Sequence, residues 1–295
     1  MSTTKCPLCG QEDVQKILSV QDHTVTSSYF DLVKCNSCSF LFTLDPPDVE
    51  SIGAYYQSDD YISHSDSSKG IINSVYQLVR KRSVVSKRKL IFKVTEKNTG
   101  NILDYGCGTG SFLYEMKSVG WRITGIEPDA GARQKAIDLT RALVETPSYL
   151  RDLQSASMDA ITMWHVLEHV HDLHDTINEF LRILKNDGVL IVAVPNHKSF
   201  DATHYRAFWA AYDVPRHLYH FSPDTMMKLM NMHGLSVIKT LPMWYDSFYV
   251  SLLSEKYKRG KTSILKAMLI GLISNIRAIF TAGVCSSQIY IIRKN

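Results

Sequence analysis

The sequence of 295 residues has no strong excess of charge of one sign. Its 33 Lys and Arg residues are nearly matched by 29 Asp and Glu residues, and the formal net charge is +4. So mild an excess does not by itself indicate a nucleic-acid partner. Low-complexity segments are also absent, and 45% of the residues are hydrophobic, so the chain can bury a core. The length predicts about two domains, or one large domain with an appendage.

Long hydrophobic runs are missing as well. The N-terminus, Met1 to Lys5, has no apolar stretch behind a positive start, so we expect no secretory signal and a cytoplasmic protein. The most apolar late segment, residues 264–280, is interrupted by Lys266, Asn275 and Arg277. It falls short of the roughly 20 apolar residues that a membrane-spanning helix needs. We therefore expect no transmembrane helix.

Four of the six cysteines form two C-x-x-C pairs near the N-terminus. They are Cys6, Cys9, Cys35 and Cys38. In a cytoplasmic protein such pairs indicate a zinc site rather than disulfides, and the two-residue gap lets both thiolates reach one metal ion. The 25 residues between the pairs suit a short hairpin of Val14 to Val20 and Asp22 to Thr26. Because four thiolates leave no open coordination position, we expect a structural zinc ribbon over residues 1–47, with nucleic-acid binding as the alternative role.

Residues 48–98 follow the Pro46-Pro47 pair and are expected to form a linker and an N-terminal helical segment. Residues 71–92 carry apolar side chains at helical spacing, together with a basic run. The basic run includes Arg80, Lys81 and Arg82. A phosphate contact and a solvated helix face both account for it, and the solvated face is favoured.

From residue 99 onward, strand-like and helix-like segments alternate, which predicts a parallel sheet covered by helices. A short apolar run over residues 102–104 leads into a glycine loop over residues 106–110. The third glycine of the dinucleotide-binding pattern G-x-G-x-x-G would fall on Ser111, and no Lys-Ser or Lys-Thr follows, as a phosphate-binding loop requires. Neither of these two phosphate-binding sites is therefore favoured.

The pattern that remains is D-x-G-x-G-x-G, from Asp104 to Gly110, with Glu127 lying 17 residues after the last glycine. It resembles the S-adenosylmethionine loop of class I methyltransferases. In that resemblance the glycines let the backbone approach the donor, Glu127 accepts the ribose hydroxyls, and Asp104 accepts hydrogen bonds within the loop or from the donor's amino group. The residues predicted to bind the donor are Asp104, Gly106, Cys107, Gly108, Gly110, Glu127, Pro128 and His165.

Downstream segments continue the pattern, with a fourth strand expected over residues 158–164, a helix over residues 175–185 that ends at residues 186–188, and a buried strand over residues 189–194. The string D-A-I-T-M-W-H-V-L-E-H-V resembles the fourth-strand motif of small-molecule methyltransferases, a branch that includes ubiquinone-type O-methyltransferases. The cysteine-rich module joined to this domain also resembles some deoxysugar C-methyltransferases. The Asp/Asn/Ser-Pro-Pro-Tyr/Phe tetrapeptide of base and amide N-methyltransferases is absent, which favours oxygen or carbon acceptors. The resemblance covers residues 100–241 and a last strand at residues 288–293.

Methyl transfer to a hydroxyl or an acidic carbon also requires removal of a proton, and histidine is the natural base near pH 7. His165 and His169 are four residues apart, which predicts that they share one face of a helix at the strand end. We expect His169 to be the base and His165 to contact the donor. Packing in the donor pocket for His165, loop capping for His169, and a metal held with Glu168 are the alternatives.

Residues 197–221 concentrate aromatic, His and Arg side chains, and in this fold the loop lies over the active site. We expect them to form the wall of the acceptor site. The candidates for acceptor contacts are Tyr212, Arg216, His217 and His220. Arg216 suits an anionic group of the acceptor, and His217 or His220 is a second candidate base. Alternatively, Arg216 pairs with Asp213 to hold the loop.

A long insertion, residues 247–285, separates the last two predicted strands. One interpretation is a lid or a dimer surface. The other is an amphipathic helix over residues 264–280 that makes peripheral contact with a membrane.

We therefore expect an α/β protein in which a Rossmann-like, seven-stranded class I methyltransferase sheet over residues 99–295 follows an N-terminal zinc ribbon. The predicted reaction is S-adenosylmethionine-dependent methylation of oxygen or carbon in a small-molecule acceptor, such as a sugar or glycan precursor. The alternative is a zinc-ribbon-guided RNA or protein methyltransferase. A binding module without catalysis is disfavoured because the donor motif is intact, and the sequence leaves the oligomeric state open.

Overall fold

The computed structural model describes residues 5–56, 71–281 and 283–295, with the backbone alone for residues 71–81. The helices are α1 Ile71–Thr95, α2 Ser111–Ser118, α3 Ala130–Thr140, α4 Leu173–Ile183, α5 Phe200–Tyr205, α6 Pro223–Met232, α7 Asp246–Arg259 and α8 Ile264–Phe280. The strands are β1 Val14–Gln21, β2 Tyr29–Cys35, β3 Leu41–Thr43, β4 Asn101–Tyr105, β5 Arg122–Ile126, β6 Val144–Glu145, β7 Met158–Trp164, β8 Leu184–Pro195, β9 Tyr219–His220, β10 Leu235–Pro242 and β11 Ser287–Lys294. Arg80 and Lys81 of the basic run lie outside the described side chains.

The central sheet has seven strands in the order β6, β5, β4, β7, β8, β11, β10. The first five are parallel, and β11 runs antiparallel to both of its neighbours. This confirms the predicted α/β fold and its seven-stranded sheet. The strand order reverses between β4 and β7, and the carboxyl ends of parallel strands open a crevice at such a point.

The middle of the sheet consists of apolar runs that are covered on both faces. Ile102, Leu103, Ile161 and Val192 are each 0% exposed, as expected of central strands of a parallel sheet between two helical layers. The strands predicted at residues 102–104, 158–164 and 189–194 fall within β4, β7 and β8. Residues 186–188, predicted to end a helix, belong instead to β8, and α4 ends at Ile183.

A second sheet is formed by β1, β2, β3 and β9 in that order. The predicted hairpin is correct in β1, but the second strand expected over Asp22 to Thr26 is wrong. Asp22 instead holds a turn, because its Oδ2 accepts from the Thr26 amide at 2.8 Å and its Oδ1 from the Thr24 amide at 3.1 Å. The returning strand β2 begins only at Tyr29.

The cysteine-rich module shares its sheet with the rest of the chain. Strand β9 lies within the predicted acceptor loop and pairs antiparallel with β3. The Thr43 hydroxyl donates to the His217 carbonyl at 2.7 Å, and the Phe40 ring packs 5.7 Å from Tyr219 and 5.4 Å from Phe221. The loop over residues 197–221 therefore lies between the cysteine-rich module and the large sheet.

The predicted insertion between β10 and β11 folds into a helical hairpin of α7 and α8. The two helices come close because Gly271 faces Phe248, and a Cβ at Gly271 would lie 2.7 Å from Phe248 Cδ1. None of the helices in the part of the chain that the structure describes is long and apolar enough to cross a bilayer.

Candidate active site and cysteine cluster

The glycine loop follows β4 and requires glycine at two of its positions. Gly106 has φ of +77°, and a Cβ there would lie 2.4 Å from Val166 Cγ2. Gly110 has φ of +80°, and a Cβ there would lie 2.9 Å from the Cβ of Ala136. These positions combine left-handed backbone with close packing, so a side chain at either one would displace the loop.

Glu127 ends β5 directly beside this loop. Its Oε2 accepts from the Gly108 amide at 2.8 Å and its Oε1 from the Asp129 amide at 3.0 Å. Arg133 holds the backbone here by donating to the carbonyls of Glu127 and Pro128. A carboxylate has about four lone-pair sites, so Glu127 can accept further hydrogen bonds, as two ribose hydroxyls would require.

Asp104 lies under the loop at the point where the strand order reverses. The residue is 2% exposed. Its Oδ1 accepts from the Thr162 hydroxyl at 2.6 Å, a hydrogen bond that joins β4 to β7. Burial raises the pKa of Asp104 to about 7. Cys107 is also buried, and its Sγ packs against Gly125, where a Cβ would come within 2.9 Å. Only the backbone of Cys107 is therefore suited to a donor contact.

His165 follows β7 in a left-handed conformation with φ of +59°. Its Nε2 lies 2.8 Å from Asp246 Oδ2, and its Nδ1 lies 3.4 Å from Glu168 Oε1. Burial lowers the pKa of His165, but the Asp246 and Glu168 carboxylates outweigh it and raise the pKa to about 10. His165 is therefore a cation at neutral pH and has no free basic nitrogen for general-base catalysis.

The prediction that His165 and His169 share one helix face is wrong. Only Leu167–His169 form a short 3-10 turn, because the left-handed backbone of His165 interrupts any α-helix at that point. The two side chains accordingly have different partners.

His169 contacts two segments that are distant in sequence. Its Nδ1 lies 2.9 Å from the Tyr56 hydroxyl oxygen and 3.0 Å from the Arg216 carbonyl oxygen. A carbonyl can only accept, so Nδ1 carries the proton in that contact and Nε2 is the basic nitrogen. Burial has the largest effect and the nearby His217 the next largest, and together they lower the pKa of His169 to about 4. His169 is thus neutral at pH 7.

Tyr56 brings the linker into the site, a contribution that the sequence analysis missed. Burial, together with the charges of Asp213, Glu168 and Glu127, raises the pKa of Tyr56, so its hydroxyl stays protonated. Its hydroxyl oxygen lies against Nδ1 of His169. The only signal in the sequence was the aromatic character of the linker, whereas Asp246 gave no signal at all.

The side chains of His217 and Glu168 pack beside His169. The rings of His169 and His217 pack edge to face at 4.6 Å, and His217 Nδ1 lies 2.9 Å from the Ala211 carbonyl. His217 Nε2 is 4.0 Å from Oε1 of Glu168, which is fully buried. Burial raises the pKa of Glu168, but His165 and His217 outweigh that effect and lower it. Glu168 is therefore an ionised group that can orient both histidines.

Arg216 does not point into an acceptor site, contrary to expectation. Its guanidinium is 1% exposed and donates to Asp213 at 2.7 Å, to Asp22 at 3.1 Å and to the Tyr55 carbonyl at 2.9 Å. This agrees with the alternative that Arg216 holds its loop through Asp213. The additional partner Asp22 ties that loop to the cysteine-rich module.

His220 and Tyr212 are likewise internal, which corrects their predicted role in binding the acceptor. His220 is 3% exposed in β9, and its Nε2 lies 3.2 Å from the Thr43 hydroxyl. Burial lowers the pKa of His220. The Tyr212 ring packs edge to face against His220 at 5.2 Å and against Trp209 at 5.0 Å. Both side chains stabilise the contact between module and loop.

The four cysteines of the two C-x-x-C pairs meet at one end of the small sheet. The Sγ atoms of Cys6 and Cys38 are 3.5 Å apart, those of Cys9 and Cys35 are 3.6 Å apart, and all four lie within 4.8 Å of one another. Tetrahedral zinc with bonds of about 2.3 Å places its sulfur ligands about 3.8 Å apart. Backbone amides of Leu8 and Cys9 also donate to the Cys6 sulfur. The cluster is compatible with zinc binding.

Comparison with known proteins is consistent with this geometry. A family model described as a methyltransferase domain matches residues 76–240. A probable S-adenosylmethionine-dependent methyltransferase of Mycolicibacterium smegmatis is 26% identical over 179 residues, which cover 57% of this chain and 63% of that protein. A ubiquinone biosynthesis O-methyltransferase of Glaesserella parasuis is 30% identical over 118 residues, which cover 35% of this chain and 50% of that protein.

A solved structure shows the same fold. The magnesium protoporphyrin IX methyltransferase of Synechocystis, solved with bound SAH, superposes with a TM-score of 0.52 at 13% identity, covering 78% of this chain and 90% of that one. The family model spans more than half of the chain, and the seven-stranded sheet has the fold of that solved methyltransferase. The chain therefore belongs to the methyltransferase domain family, with the fold of the class I S-adenosylmethionine-dependent enzymes.

Proposed function

We propose that this protein transfers the methyl group of S-adenosylmethionine to an oxygen or carbon atom of a small-molecule acceptor. The observation that carries the proposal is a neutral histidine, His169, held beside the donor loop. Val166 packs against Gly106 of that loop, and His169 follows in the next turn. Relatives include ubiquinone O-methyltransferases, which supports an oxygen acceptor.

The donor side of the proposed site needs no further residues. The glycine loop offers its backbone to the donor, Glu127 accepts the ribose hydroxyls, and Asp104 holds the loop through Thr162. When bound, S-adenosylmethionine supplies a methyl group already activated on a sulfonium. The protein's remaining task is to position the acceptor and remove its proton.

His169 performs that proton removal in our proposal. Its pKa of about 4 keeps Nε2 unprotonated at pH 7, whereas His165 is a cation and fails this requirement. The Arg216 carbonyl orients the ring through Nδ1. The Glu168 carboxylate, whose charge raises the pKa of His169, supports the charge that forms when His169 takes up the proton. The Tyr56 hydroxyl oxygen lies at the same place and accepts from the protonated Nδ1.

We further propose that the four cysteines hold a structural zinc ion. Four soft thiolates with near-tetrahedral spacing fit zinc and leave no position for a substrate. The ion would hold the small sheet that carries the acceptor loop. All six cysteines are described and none is in a disulfide, which suits the reducing conditions of the cytoplasm as the proposed location.

A labelling experiment tests the reaction. Purified protein is incubated with methyl-labelled S-adenosylmethionine and a cell extract, and the label is then separated into small-molecule, lipid, RNA and protein pools. Label in the small-molecule or lipid pool supports the proposal. Label confined to RNA or protein contradicts it and makes a macromolecule the acceptor.

The role of His169 has its own test once a labelled pool is found. His169→Ala is expected to lower turnover by about a hundredfold or more while donor affinity is unchanged. The matched control is His233→Ala, since the His233 side chain contacts Asn178 and His174 and none of the residues of the proposed site. Near-normal turnover of His169→Ala would remove the base assignment.

A further inference from the structure

Residues 256–281 comprise the last residues of α7, the turn that follows and all of α8. This segment contains no acidic residue. The segment has six basic residues, namely Lys256, Lys258, Arg259, Lys261, Lys266 and Arg277. In the chain as a whole, basic and acidic residues are nearly balanced at 33 and 29. So long a stretch of one sign is therefore a local feature of this hairpin.

Helix α8 in the same segment has two faces that differ in burial. The face toward α7 and α5 carries small or polar residues such as Ala267, Gly271 and Ser274, all of which are buried. The opposite face exposes large apolar side chains at helical spacing. They are Leu265 at 88% exposed, Leu269 at 55%, Leu272 at 49%, Ile276 at 44%, Ile279 at 66% and Phe280 at 82%. A continuous apolar stripe of this kind marks an interaction surface.

The basic side chains lie at the turn between α7 and α8, next to one end of this stripe. Lys258 and Lys261 are exposed, whereas Arg259 and Lys266 reach the buried Glu255 at 3.0 and 3.3 Å. Glu255 belongs to α7 and is 0% exposed, so it offers no negative charge to a partner. The outward charge of the turn is positive.

We propose that the exposed face of α8, with the lysines of the adjoining turn, docks on the surface of an anionic lipid bilayer. An apolar stripe beside exposed cations is the pattern of a helix that lies in the membrane interface, where the stripe enters the acyl boundary and the cations meet lipid headgroups. α8 has 17 residues, about 26 Å at 1.5 Å each, so it lies along the surface rather than across the bilayer.

The charge pattern favours a bilayer over a second copy of the chain. In a two-fold dimer the same patch packs against itself, and the exposed lysines of the turn find no acidic partner in residues 256–281 of the other copy. An anionic surface offers complementary charge instead. Helix α7 also supplies Asp246 to His165 at the end of β7, so the docking hairpin is joined directly to the active site.

Vesicle flotation tests the proposal on the full chain without any methyl acceptor, so its failure would leave the proposed reaction untouched. The vesicles contain phosphatidylcholine alone or phosphatidylcholine mixed with phosphatidylglycerol. Wild-type protein is expected to float with the anionic vesicles at low salt and to be released at high salt. Absence of binding to anionic vesicles would overturn the proposal.

Two variants identify the surface. Leu265→Asp with Phe280→Asp is expected to weaken vesicle binding by at least about tenfold, because each lost side chain contributes more than a kcal/mol when buried. Lys258→Glu with Lys261→Glu is expected to weaken it by roughly thirtyfold or more, at about 1 kcal/mol per cation. The matched control is Met232→Asp, at an exposed apolar position on α6. Binding that the first pair leaves unchanged would overturn the assignment of the surface.

Sedimentation velocity separates the remaining outcome. All of the changed side chains are exposed, and the far-ultraviolet spectrum and the urea midpoint should match those of wild type. Wild-type protein is expected to be a monomer in the absence of vesicles. A dimer that Leu265→Asp with Phe280→Asp dissociates would overturn the proposal and make this face a contact between copies.

Discussion

The two sides of the proposed site are built in different ways. The donor side comes from one stretch of 24 residues, from Asp104 to Glu127, that contains the end of β4, the glycine loop, α2 and β5. The acceptor side is assembled from four distant segments, represented by Tyr56, His169, Arg216 and Asp246. A contiguous motif is legible in sequence, because its parts are neighbours by covalent connection. The acceptor side exists only once the chain has folded.

The two sides also depend on different supports. The donor loop rests on the large parallel sheet through Asp104 and Thr162. The loop over residues 197–221, the proposed wall of the acceptor site, is held by two contacts with the cysteine-rich module. The Thr43 hydroxyl donates to the His217 carbonyl, and Asp22 pairs with Arg216. Damage to the module should therefore disable the acceptor side and spare the donor side.

Removal of the proposed zinc is the strongest test of that difference. Structural zinc sites have apparent binding free energies of about 10 kcal/mol or more, so loss of the ion should release the small sheet. We expect a strong chelator, or Cys35→Ser, to lower turnover by more than about a hundredfold through misplacement of the acceptor loop. Calorimetric affinity for S-adenosylmethionine should stay within about threefold, since Asp104 before the donor loop is held by Thr162 of the large sheet.

The control for this experiment is Cys285→Ser, because Cys285 is a buried thiol outside the cluster. Metal content is measured on the same samples. Full turnover in protein shown to be free of zinc would contradict the dependence of the acceptor side on the module.

Replacement of Arg216 tests the ion-pair link. Arg216→Met leaves Asp22 buried without its cation, which typically costs 3–5 kcal/mol. We expect a loss of about 3 to 5 kcal/mol in the free energy of unfolding, measured by urea denaturation. The control is Lys198→Met, which breaks an ion pair to Asp224 whose side chains are 50% and 62% exposed. That change should cost less than about 1 kcal/mol, and equal losses in both variants would contradict a buried structural role for Arg216.

The donor side is tested by Glu127→Ala. Loss of hydrogen bonds to a charged group should weaken S-adenosylmethionine binding by about 1.5 to 3 kcal/mol, or roughly 10- to 150-fold. The control is Glu145→Ala at the end of the neighbouring strand β6, where the backbone carbonyl and not the carboxylate meets Glu127. Calorimetry that finds unchanged affinity in Glu127→Ala would exclude the ribose contact.

The smallest expected effect concerns the link between the two sides, the ion pair of His165 and Asp246. The pKa of His165 is about 10 in the folded protein and ordinarily about 6.5, so the pair stabilises the fold fully below pH 6.5. The stabilisation is lost as pH rises through 10. Since His165 is 34% exposed, we expect only about 1 kcal/mol.

Urea unfolding at pH 7 and pH 10.5 checks this effect. Asp246→Asn should be less stable than wild type at pH 7 and nearly equal to it at pH 10.5. Asp138→Asn, at an exposed position on α3, should show no such convergence. A constant difference between Asp246→Asn and wild type at both pH values would argue against the ion pair.

Several elements were predictable because their signals are local. The apolar runs of β4, β7 and β8 were all legible in the sequence. The pairing of His165 with His169 on a helix was not, since residue spacing carries no information about a left-handed backbone at His165. The pairing of Arg216 with Asp22 was hidden for another reason, because Asp22 lies 194 residues away along the chain.

By itself, the sequence determined the class of fold, the glycine loop with Glu127, and the four cysteines as one cluster. Each of these depends on short-range spacing or on hydrophobic periodicity, which act before distant segments meet. Only the tertiary structure decided which histidine is neutral, that Arg216 faces inward, and that α8 leaves an apolar face exposed. Those properties depend on burial and on charges brought together across the chain, and burial is a property of the folded molecule alone.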